Sequence, residues 1–403
     1  MRARELLSST MISLVSLAAA AAAAPPAAQP ADASAGEAAS AARYIVQAAN
    51  VRSARQDTVR VGAKIQQDLE IIHAVSAYLS PRQVAQLRKA SGVHVFEDRS
   101  LTTEGTGLLG LLSPVTSPVV TLLSALTTPS DGNGELLPTL LYQTNYPMLV
   151  GADTLQQAGI TGKGITIAVL DSGLWKDPAQ NYGSRLLATI NVVNGGAGPV
   201  TGDGYGHGTH VTSIAAGGAM NLAGNYLSIA PQANVVEVQA FNGSGAGRYA
   251  DVIAGMNWIV ANKKKYNIRV VNLSFGATPE SYYWNDPVDQ AVMAAWHAGI
   301  VVVAAAGNEG PGPMTIDVPG NVPYVITTGA LTDNYTPYNP NDDRLASFSS
   351  TGPTYEGFVK PEVVAPGGHI VASMSSNSYL ANIDPGSMIL TEQMFTMSGT
   401  SMS

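Results

Sequence analysis

The sequence predicts an α/β fold: a doubly wound, mostly parallel sheet with helices on both faces, preceded by a small α+β domain. Three observations carry that expectation. From about Tyr146 onward, strand-like and helix-like patterns alternate. The strand-like runs, such as Ile165 to Leu170 and Ile300 to Ala304, are continuously apolar, as strands covered on both faces require. The chemistry-bearing residues fall where those runs end, and open α/β sheets carry their sites at strand carboxyl ends.

With 403 residues, 45% hydrophobic and 12% charged, the chain can bury a large core. A formal charge of -8 argues against a phosphate-binding surface and hence against nucleic acid. The basic run Lys263-Lys264-Lys265 reads as a solvated helix end. The absence of cysteine excludes disulfides, thiolate catalysis and zinc–thiolate sites.

Taken in order, Arg2 and Arg4 precede the apolar run Met11 to Ala24 and then Pro25-Pro26. This pattern predicts a signal peptide over 1–28 and a secreted protein, extracellular or periplasmic. The Ala/Pro/Ser-rich stretch 29–42 is expected to be unstructured. Residues 43–100 read as a small α+β domain: a strand at Arg43 to Gln47, helical spacing from Val61 to Leu69, and a strand from Ile71 to Leu79. Ser80-Pro81 then caps a helix, and a strand follows at Val93 to Phe96. Residues 101–145 read as a linker or processing region. The uncharged stretch 105–130 is interrupted by Pro114 and Pro118, which argues against a membrane span. From 146 to 403 the α/β domain has strands at Ile165 to Leu170, Val235 to Val238, Val270 to Leu273 and Ile300 to Ala304. Its helical patterns run from Tyr249 to Lys263 and from Val288 to Ala298.

Four motifs carry chemistry. Asp171 closes an apolar strand, where it could orient another group or merely form a turn. His207 sits in Gly206-His207-Gly208-Thr209-His210. The two histidines lack a third partner at metal-ligand spacing, so a general base flanked by glycines fits better than a metal site. Asn308, in Gly307-Asn308-Glu309-Gly310, could donate its amide to an oxyanion or form a turn. Ser401 lies in Gly399-Thr400-Ser401-Met402, with Ser398 and Ser403 as neighbouring alternatives.

The order Asp, His, Asn, Ser resembles the subtilase superfamily of secreted serine proteases over Tyr146 to Ser403. Residues 43–100 are more weakly similar to a subtilase propeptide, which chaperones and inhibits its enzyme. The resemblance implies that Ser401 is the nucleophile, His207 the base, Asp171 its orienting acid and Asn308 the oxyanion donor. It implies a groove for extended polypeptides between Gly245-Ala246-Gly247 and Ser274-Phe275-Gly276. It also places Asp317, in Thr315 to Gly320, at the base of the primary specificity pocket with Glu309 at its rim. That predicts a bias toward Lys or Arg before the cleaved bond, although a solvated loop carboxylate is an equal reading of Asp317. Val318-Pro319 is expected to be cis.

No cofactor is required by such chemistry. Relatives commonly bind structural calcium, but the oxygen-rich Asp333-Asn334 and Asn341-Asp342-Asp343 identify no ligands. The expected partners are polypeptide substrates and the protein's own propeptide, with a monomeric state. The resemblance further implies a long helix beginning at Ser401 and elements beyond it. The chain as written is therefore expected to be an inactive fragment. A dinucleotide-binding protein is disfavoured because Gly159, Gly162 and Gly164 precede their strand. A lipase would place its serine before the acid and histidine.

Overall fold

The computed structural model describes residues 41–103, 145–221, 223–334, 336, 339–389 and 393–403. The expected signal peptide, and nearly all of the expected disordered and linker segments, lie outside the described residues.

The first layer is a four-stranded antiparallel sheet. Its elements are β1 (Ala42–Gln47), α1 (Val51–Arg60), β2 (Lys64–Leu69), β3 (Ala74–Leu79), α2 (Pro81–Leu87) and β4 (His94–Glu97). The strand order is β2-β3-β1-β4. The helical spacing of Val61 to Leu69 is not realised. The helix lies earlier, where the Asn50 side chain accepts from the Ser53 N–H at 2.9 Å and caps α1. Gly62, at φ 76°, then turns the chain into β2. The following strand is also shorter than the sequence suggests, because Glu70–Ile72 forms a 3₁₀ turn closed by His73 at φ 60°. The cap at Ser80 is as expected: its backbone N–H donates to the Gln83 side chain at 2.8 Å, and Pro81 opens the helix.

The second layer is an eight-stranded sheet. It comprises β6 (Thr166–Asp171), β7 (Leu186–Asn191), β8 (Asn234–Gln239), β10 (Ile268–Leu273), β12 (Val301–Ala305), β13 (Ile326–Thr332), β14 (Arg344–Leu345) and β15 (Val363–Pro366). The order is β14-β13-β12-β10-β6-β8-β7, with β15 also paired to β13. Every pairing is parallel except that of β14. The chain order reverses beside β6, so the carboxyl ends of β6, β10 and β12 meet at a switch point.

Helices cover both faces. After the short α3 (Tyr146–Leu149) and α4 (Ala152–Gln157), α5 (His207–Ala216) packs on one face with the hairpin β16 (Ile370–Ser373) and β18 (Met394–Met397). On the other face, α6 (Tyr249–Tyr266) and α7 (Pro287–His297) share one apolar cluster with Leu170, Val236, Leu273 and Val302. A short helix, α8 (Tyr379–Ile383), and a strand, β17 (Met388–Ile389), complete the hairpin side.

The small sheet docks on α6 and α7. Ile45, Leu69 and Ile72 enter the same apolar cluster as Ile253 and Val292. Arg248 gives α6 no side-chain cap. Asp98 supplies one from the other layer, accepting from the Ala250 N–H at 2.7 Å. Arg43 bridges Asp98 and Asp251, the latter at 3.1 Å. The remaining residues of the layer's tail form β5 (Ser100–Thr103), which lies between β9 (Ala246–Arg248) and β11 (Phe275–Gly276).

Candidate active site

The site is assembled from three neighbouring strand ends and one helix start. Asp171 is the last residue of β6 and is fully buried. His207 begins α5, whose first turn lies over that strand end. The Nδ1–H of His207 donates to Asp171 Oδ1 at 2.8 Å and Oδ2 at 3.0 Å. A carboxylate only accepts, so this contact fixes the Nδ1–H tautomer and leaves Nε2 with its lone pair. Nε2 is buried and has no hydrogen-bond partner among the described residues. It is therefore placed to accept a proton.

The approach of α5 to β6 requires Gly208. A Cβ there would sit 2.3 Å from the Gly173 carbonyl oxygen and 3.2 Å from Asp171 Cβ. Backbone would have to move to admit it. We expect Gly208→Ala to cost about 2 kcal/mol by overpacking and to pull His207 off Asp171. A thermal melt and kcat should fall together; an unchanged melting temperature would contradict the reading.

One residue absent from the sequence-based assignment organises this corner. Asp203 is buried, and its carboxylate accepts from the backbone N–H of Tyr205, Gly206 and Thr209 and from the hydroxyls of Ser172 and Thr209, all at 2.8–3.2 Å. Ser172 Oγ in turn accepts from the Gly208 N–H at 2.9 Å. Burial pushes the Asp203 carboxyl up, and these hydrogen bonds oppose that shift. The signal in the sequence was the acid four residues before His207, which also reads as an ordinary glycine-flanked turn. Glu237 of β8 lies nearby, and burial pushes its carboxyl well above the usual range, with Asp171 and Asp203 adding to the shift.

His210 serves a different purpose. Its Nε2–H donates to the Phe395 carbonyl at 3.0 Å, and burial pushes its pKa down to about 3. It is a neutral structural donor within the core. Among the described residues, no group of three His, Cys, Asp or Glu side chains could hold a metal ion. In the oxygen-rich loop the Thr336 hydroxyl is 2.8 Å and 2.7 Å from the two Asp342 carboxylate oxygens.

Ser401 lies in a 3₁₀ turn, Thr400–Met402, packed against the start of α5 and the ends of β12 and β13. Its hydroxyl donates to the Ser274 carbonyl at 3.2 Å, and Ser274 Oγ donates back to the Ser401 carbonyl at 3.1 Å. The serine is thus turned toward the end of β10, not toward His207. Rotation about χ1 is the motion that would redirect it, and catalytic hydrogen bonds commonly tighten only with substrate. Ser398 is occupied elsewhere, accepting from the His369 N–H at 2.9 Å. Asn308 follows β12. Its Oδ1 accepts from the Thr400 N–H at 3.0 Å, which sets which end of the amide carries the oxygen.

Both flanks of the expected groove border β5. Thr102 and Leu101 pair antiparallel with Ala246 and Gly247, and Thr103 pairs with Phe275. The Thr103 N–H donates to the Gly245 carbonyl at 3.2 Å. Gly245 has φ +75°, and a Cβ there would lie 2.4 Å from the Tyr205 ring. Leu101 joins the cluster that contains Phe241 and Phe275. The strand runs toward Ser274, and so toward Ser401. An extended peptide of this very chain therefore occupies the space between Gly245–Gly247 and Ser274–Gly276.

Asp317 is buried, and its carboxylate lies against Gly307: a Cβ at Gly307 would be 2.8 Å from Asp317 Oδ2. It is not a solvated loop acid. Glu309 is exposed. Val318 pairs with Ala277, just past β11, and Val318-Pro319 is cis.

A buried acid–imidazole pair, an amide and a serine converging on a peptide-filled groove are the parts of a serine hydrolase acting on polypeptides. Comparison with known proteins agrees with that class. The subtilase family profile matches residues 162–403. The serine protease AprX of Bacillus subtilis (strain 168) is 41% identical over 252 residues, 60% of this chain and 55% of that protein. Subtilisin DY of Bacillus licheniformis is 32% identical over 57% of this chain and 74% of its own length. Subtilisin E of Bacillus subtilis (strain 168) is 28% identical over 86% of this chain and 77% of its own length. The chain belongs to the subtilase family, and it spans just over half the length of AprX. Its N-terminal α+β layer is propeptide-like.

Proposed function

We propose that the protein is a secreted serine endopeptidase, made as a zymogen that processes itself. It cleaves extended polypeptides through an acyl-enzyme formed on Ser401. The observation that carries this reading is the Asp171–His207 pair, whose unpartnered Nε2 lies in the same corner as the Ser401 turn. His207 takes the Ser401 proton as the hydroxyl attacks the carbonyl, and later returns it to the leaving amine. Asp171 stabilises the imidazolium between those steps. The Asn308 amide and the Ser401 N–H receive the developing oxyanion. No metal or cofactor enters these steps, and the monomer is sufficient for them.

β5 supports the zymogen reading, because it fills the groove by the strand addition that substrate would use. Residues 43–100 act as chaperone and inhibitor, and 101–145 as the processing region. Arg2, Arg4 and the run Met11 to Ala24 support export; among the described residues no helix is long and apolar enough to cross a membrane.

Burial of Asp317 beside Gly307 supports a negative pocket base. Peptides with Lys before the cleaved bond should be hydrolysed at least tenfold faster, as kcat/KM, than matched Phe peptides. Equal rates, or faster Phe cleavage, would remove Asp317 from the pocket; failure to hydrolyse casein at all would count against the protease reading itself.

A further inference from the structure

Arg99 immediately precedes β5, and its side chain is held by the other layer. Its Nη2–H donates to the Thr278 carbonyl at 2.7 Å and lies 3.0 Å from Glu280 Oε1. Its Nη1–H donates to the Tyr249 hydroxyl at 3.0 Å and lies 3.8 Å from Asp286 Oδ2. The guanidinium carbon sits 5.2 Å from the Tyr249 ring centroid, within cation–π range. The receiving groups are built in. Tyr249 is 1% exposed and Asp286 3% exposed. The Tyr249 hydroxyl donates to Asp286 at 3.1 Å, and Asp286 itself caps α7.

We propose that Tyr249, Thr278, Glu280 and Asp286 form a guanidinium-binding subsite of the substrate groove, selecting peptides with arginine four residues upstream of the residue that pairs with Phe275. The inference rests on the protease reading of the groove.

Register places the subsite. Thr103 pairs with Phe275, and Arg99 lies four positions before it on the same strand path, with the Tyr249 N–H donating to the Arg99 carbonyl at 3.0 Å. A substrate strand replacing β5 would therefore carry its own side chain to the same place. Charge gives the reason for it to be arginine. Asp286 caps α7 and is buried, and among the described residues Arg99 is the only basic side chain within 4 Å of it. When the tail departs, Asp286 loses its cation, and an uncompensated buried charge is unfavourable. A substrate guanidinium restores it. Lysine fits less well, because a single ammonium cannot reach Thr278, Glu280 and Tyr249 together while lying over the ring.

The test uses the full chain after self-processing and quenched peptides spanning residues 99–106, with Arg, Lys or Gln at the first position. We expect kcat/KM for Arg at least tenfold above Gln, expressed in KM, with Lys between them. Glu280→Gln, at an exposed rim position, should narrow the Arg advantage at least threefold. Asp286→Asn risks the α7 cap, so it is not the deciding variant. A parallel anisotropy titration, with the labelled peptide of residues 97–103 and the full chain carrying Leu101→Asp to free the groove, reads binding without turnover. Equal binding and equal kcat/KM for Arg and Gln would overturn the subsite. Arg-selective binding without casein hydrolysis would retain the subsite and strike only the protease reading.

Discussion

Replacing Ser401 by alanine should lower kcat about 10⁶-fold, a magnitude taken over from subtilisin, where the same kind of site operates. The loss follows from the chemistry of the step: without Oγ there is no acyl-enzyme, and only the oxyanion donors and substrate binding remain. The fold should be untouched. Ser401 Oγ makes one hydrogen bond, at 3.2 Å to the Ser274 carbonyl, and the turn is held independently by the Thr400 N–H on Asn308 and by Ser274 Oγ on the Ser401 carbonyl. Melting temperatures should therefore agree within a few degrees. Ser398→Ala is the control: its hydroxyl caps the His369 N–H, so kcat should change by no more than a few-fold. If Ser398→Ala abolished turnover and Ser401→Ala did not, the assignment of the nucleophile would be wrong.

Asp171→Asn should lower kcat about 10⁴-fold with little change in KM, the scale known for removing the acid of such a triad. The substitution hardly alters volume. It alters which ring nitrogen carries the proton. The Asn oxygen, at the Oδ1 position, would keep the Ser172 N–H at 2.7 Å, and its NH₂, at the Oδ2 position, would lie 3.0 Å from His207 Nδ1. An NH₂ facing Nδ1 requires that nitrogen to accept, which moves the ring proton to Nε2. Nε2 then cannot receive the serine proton. The variant also lacks the negative charge that stabilises imidazolium. A fall of less than tenfold, with the protein folded, would mean that Asp171 does not set the tautomer.

The sequence made the α/β layer legible because its strands are continuous apolar runs and its motifs sit at their ends. β6, β8, β10 and β12 lie where the runs at Ile165, Val235, Val270 and Ile300 indicate, within a residue or two. The small sheet was less legible. Val61, Ile65 and Leu69 recur at a helical interval, yet Gly62 breaks the chain there, and the cap that decides the matter is Asn50 with Ser53. Long-range partners were beyond any local pattern. Asp203 looks like a turn acid until three backbone N–H groups and two hydroxyls converge on it. Nothing local singles out Arg99; its partners Tyr249 and Asp286 lie about 150 and 187 positions away by number. The groove itself was readable from its glycines, but its occupant was not, since the residues that fill it lie in a stretch whose sequence reads as linker.

The most direct test of the acyl-transfer site is covalent. A fluorophosphonate probe reacts with a serine only when a neighbouring base accepts its proton, so labelling reports the assembled site independently of substrate choice. The processed protein should take up one label, mapped by peptide analysis to Ser401, and the His207→Ala variant should take up essentially none. A label on any other residue, or equal labelling of His207→Ala, would contradict the account.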